Sequence, residues 1–185
     1  MQKRIFLGTI ALAVATLAAG SAVAQTNTFK VGLILPMTGP FASTGRQIEA
    51  AAKLYMAQNG DNVAGKKIEL IIKDDTGTPD VTKRLAQEMI VNDKVNVLAG
   101  FGLTPLAFAT APLATQSKTP MVVMAAATSS ITQASPYIVR TSFTLPQVTV
   151  GIADWAPKNG IKKVVSLVSD YGPGIDAERT CKDRF

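Results

Sequence analysis

Short apolar runs alternate along the chain with longer stretches in which apolar residues recur every three or four positions. The run Phe29–Leu35 is almost continuously apolar, as expected for a strand that is covered on both faces of a sheet. Further strands are predicted at Lys67–Lys73, Val95–Ala99 and Met121–Met124. Helices are predicted from a Ser43 or Thr44 cap to Asn59, from Pro79 to Val91, and from Pro105 to Gln116. Strands separated by helices of this length predict an α/β fold with a doubly wound parallel sheet.

A second unit of the same kind begins after residues 141–146. Gln147–Trp155 has helical periodicity, Lys162–Ser169 (KKVVSLVS) has the composition of a strand, and Pro173 begins another helix. We therefore predict a first lobe at 25–145 and the start of a second, similar lobe at 146–185. The pattern stops at Phe185 without a helix stop signal or a following strand, so we expect the second lobe to be incomplete.

Small and hydroxyl-bearing residues follow three of the predicted strands, within 38–44, 101–104 and 125–129. Ligands of doubly wound sheets bind beyond the carboxyl ends of the strands, so we predict a small-molecule site at this edge. Thr104 and Thr128 can each donate a hydroxyl proton to a ligand carboxylate without adding bulk. Backbone N–H groups at the nearby helix starts add further donors.

Two motifs near these strand ends resemble known functional signatures, but each lacks a residue that the signature requires. Gly100-Phe101-Gly102 begins like a dinucleotide-binding loop, but Pro105 stands where a third small residue is required. Asp74-Asp75-Thr76-Gly77-Thr78 resembles an aspartyl-phosphate signature, but Asp75 replaces its lysine. We interpret the paired aspartates as the turn that joins a strand to the next helix.

The N-terminal residues indicate export. Lys3 and Arg4 precede the apolar stretch Ile5–Gly20, and Ala22-Val23-Ala24 supplies small residues before Gln25. This arrangement predicts a secretory signal peptide over residues 1–24, cleaved after Ala24. The apolar stretch is too short for a convincing membrane span, although a retained single anchor is the alternative.

The amino-acid composition excludes several kinds of catalytic and metal site. Histidine is absent and Cys181 is the single cysteine, so Ser-His-Asp, Cys-His and histidine–metal chemistry are excluded within the chain. We expect no catalytic residues, no metal and no cofactor. The alternative is a periplasmic hydrolase without histidine, in which a lysine assists a serine or threonine. The net charge is +6, but the basic residues are scattered, so we expect no nucleic-acid partner.

Five motifs occur in the order typical of one family. They are Val31–Pro40 with Ala42 and Gly45, Ala64–Leu70 with Asp74-Asp75, Val97–Gly100, Ala125–Thr128, and Asp170-Tyr171-Gly172-x-Gly174. Together they resemble the N-terminal portion of the branched-chain amino-acid-type periplasmic solute-binding proteins of ABC transporters, which are leucine/isoleucine/valine-binding-like. The resemblance implies a type I periplasmic binding fold of two lobes and a location in the periplasm. It also implies a small-molecule ligand, no enzymatic activity and a permease partner in the inner membrane.

The resemblance also implies roles for particular residues. Thr104, Ala126 and Thr128 match the groups of the first lobe that hold a ligand carboxylate. Tyr171 matches the tyrosine that lines the cleft from the opposite side. The ligand would lie between these two sets of residues.

One position departs from the family pattern. Thr44, with Ser43 beside it, occupies the place of a first-loop residue that is often aromatic and covers the ligand. We therefore expect the ligand to be either a branched-chain amino acid or a related small carboxylate, such as an aromatic acid. A ligand-sensing receptor ectodomain uses the same fold and is the alternative function.

Overall fold

The apolar run at residues 28–35 forms the central strand of a mostly parallel sheet. The computed structural model describes residues 27–185, and the sheet in that part of the chain has the order β2-β3-β1-β4-β5-β6. The strands are β1 (Thr28–Leu35), β2 (Asn62–Val63), β3 (Lys66–Asp74), β4 (Val97–Gly100), β5 (Met121–Val123) and β6 (Ile138–Arg140). Only the β2–β3 pair is antiparallel in the described sheet. The predicted doubly wound parallel sheet of the α/β class is confirmed.

The helices occupy the stretches in which apolar residues recur at helical spacing. They are α1 (Ala42–Asn59), α2 (Pro79–Glu88), α3 (Thr104–Ser117), α4 (Leu145–Lys158) and α5 (Gly172–Arg184). A π-helical turn, Met89–Asp93, extends α2, and a 3₁₀ helix, Ser129–Gln133, lies between β5 and β6. The sequence pattern did not predict the 3₁₀ helix or the short strands β2 and β6.

Both faces of the sheet are covered, which explains the continuous apolar character of β1. Neighbouring residues of a strand point to opposite faces. Leu33 and Leu35 accordingly pack with Ala99 in a cluster that α1 covers. Ile34 belongs to the other cluster, which includes Leu98 and side chains of α2 and α3.

The segment Lys162–Ser169 does not form the strand that its composition predicts. Residues 161–169 have no regular secondary structure, and Val165 and Leu167 are 99% and 100% exposed. A strand needs a neighbour that pairs with its backbone N–H and C=O groups, and no described strand lies beside this segment. The segment instead connects α4 to α5, which pack together and are joined by an Arg184–Asp154 ion pair of 2.7 Å.

The predicted signal peptide and its cleavage site lie outside the described residues. Across residues 27–185, no helix combines the length and the apolar composition that crossing a membrane requires. The predicted division between two lobes, after residue 145, falls at the start of α4 and stays a prediction. We call the part that contains α4 and α5 the α4–α5 segment, residues 145–185.

The two-sided core gives a test of the fold. Leu98 is fully buried in β4, whereas Leu54 on α1 is 57% exposed. We expect Leu98→Ala to lower the free energy of unfolding by about 2–5 kcal/mol, because it leaves a cavity in the core. Leu54→Ala, the matched control, should change it by no more than about 0.5 kcal/mol. Urea unfolding followed by circular dichroism measures both, and equal effects would contradict the described packing.

Candidate functional site

The carboxyl ends of β4 and β5 bring together three of the predicted ligand-binding residues. Thr104 begins α3 just after β4, and Thr128 directly precedes the 3₁₀ helix after β5. Their hydroxyl oxygens lie 2.7 Å apart, and the two residues are only 5% and 6% exposed. Ala126 is also buried, and its N–H donates to the carbonyl of Phe101 at 3.0 Å. The structure thus places Thr104, Ala126 and Thr128 in one small region.

The glycines after β4 allow this close arrangement. Gly100 has a φ of +113°, and a Cβ at this position would overlap the carbonyl oxygen of Ile34 in β1. A Cβ on Gly102 would press against the ring of Pro36. Any larger residue would therefore push the exit loops of β1 and β4 apart. The Gly100-Phe101-Gly102 motif has a packing role here, consistent with our rejection of a dinucleotide site.

Ser43 and Thr44 lie in the first turn of α1 and do not cap it. The helix begins at Ala42, and the residue before it, Phe41, makes no side-chain capping bond. The predicted Ser43 or Thr44 cap is therefore wrong by two or three residues. Ser43 is exposed and Thr44 is half-buried. No hydrogen bond within residues 27–185 joins either residue to the Thr104–Thr128 pair, and their predicted contact with a ligand stays a prediction.

Asp74, at the end of β3, fixes the exit loop of β1. Its carboxylate accepts hydrogen bonds from the N–H groups of Met37 and Thr76, both at 2.9 Å, and from the hydroxyl of Thr38 at 2.6 Å. Partial burial raises the pKa of Asp74, but these bonds together outweigh it and lower that pKa below its ordinary value. Sequence reasoning placed Asp74 in a turn and missed this contact, because it depends on the β1–β3 register that sets Leu35 beside Asp74.

Asp75 turns the chain toward α2 and is fully buried. One carboxylate oxygen accepts the N–H of Gly77 at 2.8 Å, which confirms the interpretation of this residue as part of a turn. The other oxygen, Oδ2, has no hydrogen-bond partner among the described residues. Burial raises the pKa of Asp75, the Gly77 N–H opposes that shift, and the neighbouring charge of Asp74 adds to it.

Tyr171 lies at the start of α5, on the side of the site formed by the α4–α5 segment. It is 37% exposed and directly precedes the helix. The next residue, Gly172, lies so close to Thr128 that a Cβ on it would overlap the Thr128 hydroxyl. Four residues further along, Asp176 accepts hydrogen bonds from both the N–H and the hydroxyl of Ser129, each at 2.8 Å. The start of α5 therefore contacts the loop that carries Thr128.

Arg140, the last residue of β6, contacts the same loop. Its guanidinium donates to the backbone carbonyl of Thr128. Its Nε is buried without a partner among the described residues. Burial lowers the pKa of Arg140, and the negative charge of Asp176 works against that shift. Sequence reasoning missed Arg140 because β6 has only three residues, and only Ile138 among them is buried.

Across residues 27–185 there is no group of three or more histidine, cysteine, aspartate or glutamate side chains arranged to hold a metal ion. The site is instead built from hydroxyls, backbone groups and one arginine. Such an arrangement can accept a small molecule that carries oxygen acceptors.

A family model described as periplasmic binding protein matches residues 28–185. The chain therefore belongs to the periplasmic binding protein family. In sequence, it is 49% identical to a Leu/Ile/Val-binding protein homologue of Brucella abortus (strain 2308), over 100% of this chain and 46% of that protein. The chain thus spans about half the length of the relatives it matches.

Solved structures show the same fold. A solute-binding protein of an ABC transporter from Rhodopseudomonas palustris BisB5, in complex with 3,4-dihydroxybenzoic acid, is 68% identical, with a TM-score of 0.85 over 86% of this chain and 44% of that one. A second solute-binding protein from R. palustris, in complex with 4-hydroxybenzoate, is 50% identical, with a TM-score of 0.83 over 85% and 43%. A leucine-binding protein from Thermotoga maritima MSB8 is 28% identical, with a TM-score of 0.76 over 85% and 45%. The predicted type I periplasmic binding fold is confirmed for the portion that this chain contains.

The two aspartates at the end of β3 should titrate with opposite effects on stability. The folded-state pKa of Asp75 is raised. Its contribution to the free energy of unfolding is therefore full below the unfolded-state pKa of about 3.9, and it is lost as the pH rises through the folded-state pKa. The folded-state pKa of Asp74 is lowered. Its contribution to the free energy of unfolding is therefore present above about pH 3.9, and it is lost as the pH falls through the folded-state pKa.

Urea unfolding between pH 3 and pH 7 should therefore separate Asp75→Asn from Asp74→Asn. Relative to the wild-type protein, we expect the Asp75→Asn variant to gain stability as the pH rises, and the Asp74→Asn variant to lose it. Each variant is the control for the other, because both remove one negative charge from the same turn. Parallel pH profiles for the two variants would contradict the described environments.

Proposed function

We propose that this chain supplies the first lobe and part of the second lobe of a periplasmic solute-binding protein. In this proposal the protein captures an aromatic carboxylic acid of the hydroxybenzoate type and delivers it to an ABC permease in the inner membrane. The observation that carries the proposal is the buried Thr104–Thr128 hydroxyl pair, which lies at the carboxyl edge of the sheet and against the start of α5.

The hydroxyl pair has an unused hydrogen-bonding capacity. Two hydroxyl groups that bond to each other use only one of their two protons. Neither hydroxyl makes another hydrogen bond among the described residues, so one O–H group is left to donate. A buried donor without a partner costs about 1–3 kcal/mol, which favours a ligand that brings an acceptor oxygen.

The surroundings of the pair favour a negatively charged acceptor. Thr104 is the first residue of α3, a helix of 14 residues whose N-terminus carries partial positive charge. Arg140 holds the carbonyl of Thr128 and adds a full positive charge nearby. A ligand carboxylate next to Thr104 and Thr128 would interact favourably with both.

The choice of an aromatic acid over an aliphatic amino acid is supported by the comparisons. The structures with 68% and 50% identity hold 3,4-dihydroxybenzoic acid and 4-hydroxybenzoate, whereas the leucine-binding protein is 28% identical. Thr44 agrees with this choice, because an aromatic ligand supplies the ring that an aromatic first-loop residue would otherwise contribute. Tyr171, at the start of α5, is proposed to line the opposite side of the ligand.

A panel of ligands tests the proposal directly. The protein used should join this chain to a complete second lobe, and the ligands are 3,4-dihydroxybenzoate, 4-hydroxybenzoate, leucine and valine. We expect the hydroxybenzoates to raise the melting temperature, since a ligand at 100 times its Kd stabilises a protein by about 2.7 kcal/mol. Stabilisation by leucine or valine alone would overturn the aromatic assignment, and stabilisation by none of the four would overturn the proposed function.

The hydroxyl pair should matter for affinity more than for folding. We expect Thr104→Val and Thr128→Val each to weaken hydroxybenzoate binding by about 1–3 kcal/mol, because the remaining hydroxyl and the ligand oxygen lose a buried partner. Thr110→Val is the matched control: Thr110 is also buried in α3, but its hydroxyl donates to the carbonyl of Leu106. Isothermal titration calorimetry measures the affinity of all three variants. Unchanged affinity in both site variants would show that the ligand does not bind at the Thr104–Thr128 pair.

A further inference from the structure

We infer that Asp176 is a positioning residue, whose carboxylate holds the first turns of α5 against the Thr128–Ser129 loop and so keeps the ligand enclosed. The inference rests on the proposed function and adds a residue that fixes the site from the α4–α5 segment. We call the set formed by Asp176, Gly172, Thr128 and Ser129 the α5 contact.

The α5 contact consists of two adjacent interactions. The Oδ2 atom of Asp176 accepts two hydrogen bonds from Ser129, one from the N–H and one from the hydroxyl, each of 2.8 Å. Gly172 lies four residues earlier on the same helix face and touches the Thr128 hydroxyl. Two turns of one helix therefore contact two consecutive residues of a loop that is more than forty residues away in sequence.

Asp176 differs in this respect from the other acidic residues of α5. Glu178 pairs with Lys182 and Asp183 pairs with Arg179, and both pairs are exposed partners one turn apart on the same helix. Such exposed pairs contribute little to stability. Asp176 instead bonds across to the loop after β5, where two donors converge on a single oxygen.

The charges around Asp176 favour the contact. From β6, the guanidinium of Arg140 interacts favourably with the carboxylate while it holds the carbonyl of Thr128. The backbone of the Thr128–Ser129 loop is thus held by Arg140 at one residue and by Asp176 at the next. This double attachment fixes the backbone that carries the Thr128 side chain, whose hydroxyl the proposed ligand requires.

The contact also affects how a ligand leaves. A ligand that lies beside the Thr104–Thr128 pair and is covered by α5 can dissociate only after α5 moves away from the loop, and that movement breaks both Asp176 hydrogen bonds. Loss of Asp176 should therefore act mainly on the dissociation rate, as most changes within one interface do. A neutral amide at this position still offers one acceptor oxygen, so it should retain part of the effect.

The test uses a protein that joins this chain to a complete second lobe, with 3,4-dihydroxybenzoate as the probe. We expect Asp176→Ala to raise the Kd at least tenfold, mainly through faster dissociation in stopped-flow measurements, and Asp176→Asn to lie between it and the wild-type protein. Asp183→Ala, on the same helix, is the matched control and should leave the Kd unchanged. Equal affinities of Asp176→Ala and Asp183→Ala would overturn the inference.

A second pair of variants tests the steric part of the contact. Gly172→Ala places a methyl group against the Thr128 hydroxyl and should weaken binding in the same direction. Gly151→Ala, in the middle of α4, meets nothing within 4 Å and should leave binding unchanged. An unaltered Kd in Gly172→Ala would show that α5 does not lie against Thr128 in the ligand-bound protein, which would also overturn the inference.

A measurement without ligand separates this inference from the proposed function. Amide hydrogen exchange at Ser129 should become at least tenfold faster in Asp176→Ala than in the wild-type protein, because the N–H loses its acceptor. If the wild-type protein binds no hydroxybenzoate but shows this protection, the proposed function fails while the contact stands. Identical exchange in the two proteins would overturn the contact itself.

Discussion

The parallel pairing of β1 with its neighbours is the constraint on which the site depends. The register places Ile34 beside Gly100, Gly100 beside Val123, and Val123 beside Arg140. On the other side of β1, Leu35 is paired with Asp74. This line of residues marks the edge at which the strands end, and the site is built directly beyond it. A shift of one residue in any pair would turn each of these side chains to the opposite face of the sheet.

Different residues follow each strand at that edge, so the contacts beyond β3, β4 and β5 differ. Asp74 has its acceptor oxygens occupied by donors from the first loop, whereas Asp75, one residue later, has an oxygen without a partner within residues 27–185. Beyond β4, glycines let two loops approach each other closely. Beyond β5, a hydroxyl and a backbone carbonyl of the same residue, Thr128, bond to different neighbours. The hydrogen-bonded loops after β1 and β3, together with the closely packed glycines after β4, thus support the Thr104–Thr128 hydroxyl pair.

Much of this arrangement follows from the sequence because it is encoded locally. The continuous apolar run Phe29–Leu35 identifies a strand buried on two faces, and the hydroxyls of Thr104 and Thr128 are recognisable as residues that follow strands. Their meeting then follows from the general rule that parallel strands end at the same edge. The family resemblance added Tyr171, which no local pattern distinguishes from an ordinary exposed tyrosine.

The parts that could not be predicted depend on partners distant in sequence. Lys162–Ser169 has the composition of a strand, but a strand forms only where another one accepts its hydrogen bonds. Arg140 and Asp176 are charged residues of common types, and their roles emerge only when β6 and α5 are placed beside the Thr128–Ser129 loop. Asp74 became informative only through the register of β1 and β3.

The ion pair between Arg184 and Asp154 has a practical consequence for optical measurements. It joins the far end of α5 to α4 at the residue next to Trp155, the only tryptophan of the chain, which is 52% exposed. The first turns of α5 lie against the Thr128–Ser129 loop, so α5 connects that loop to the α4 residue next to the indole. Trp155 is therefore a natural fluorophore beside the far end of α5, placed to report a displacement of that helix without an added label.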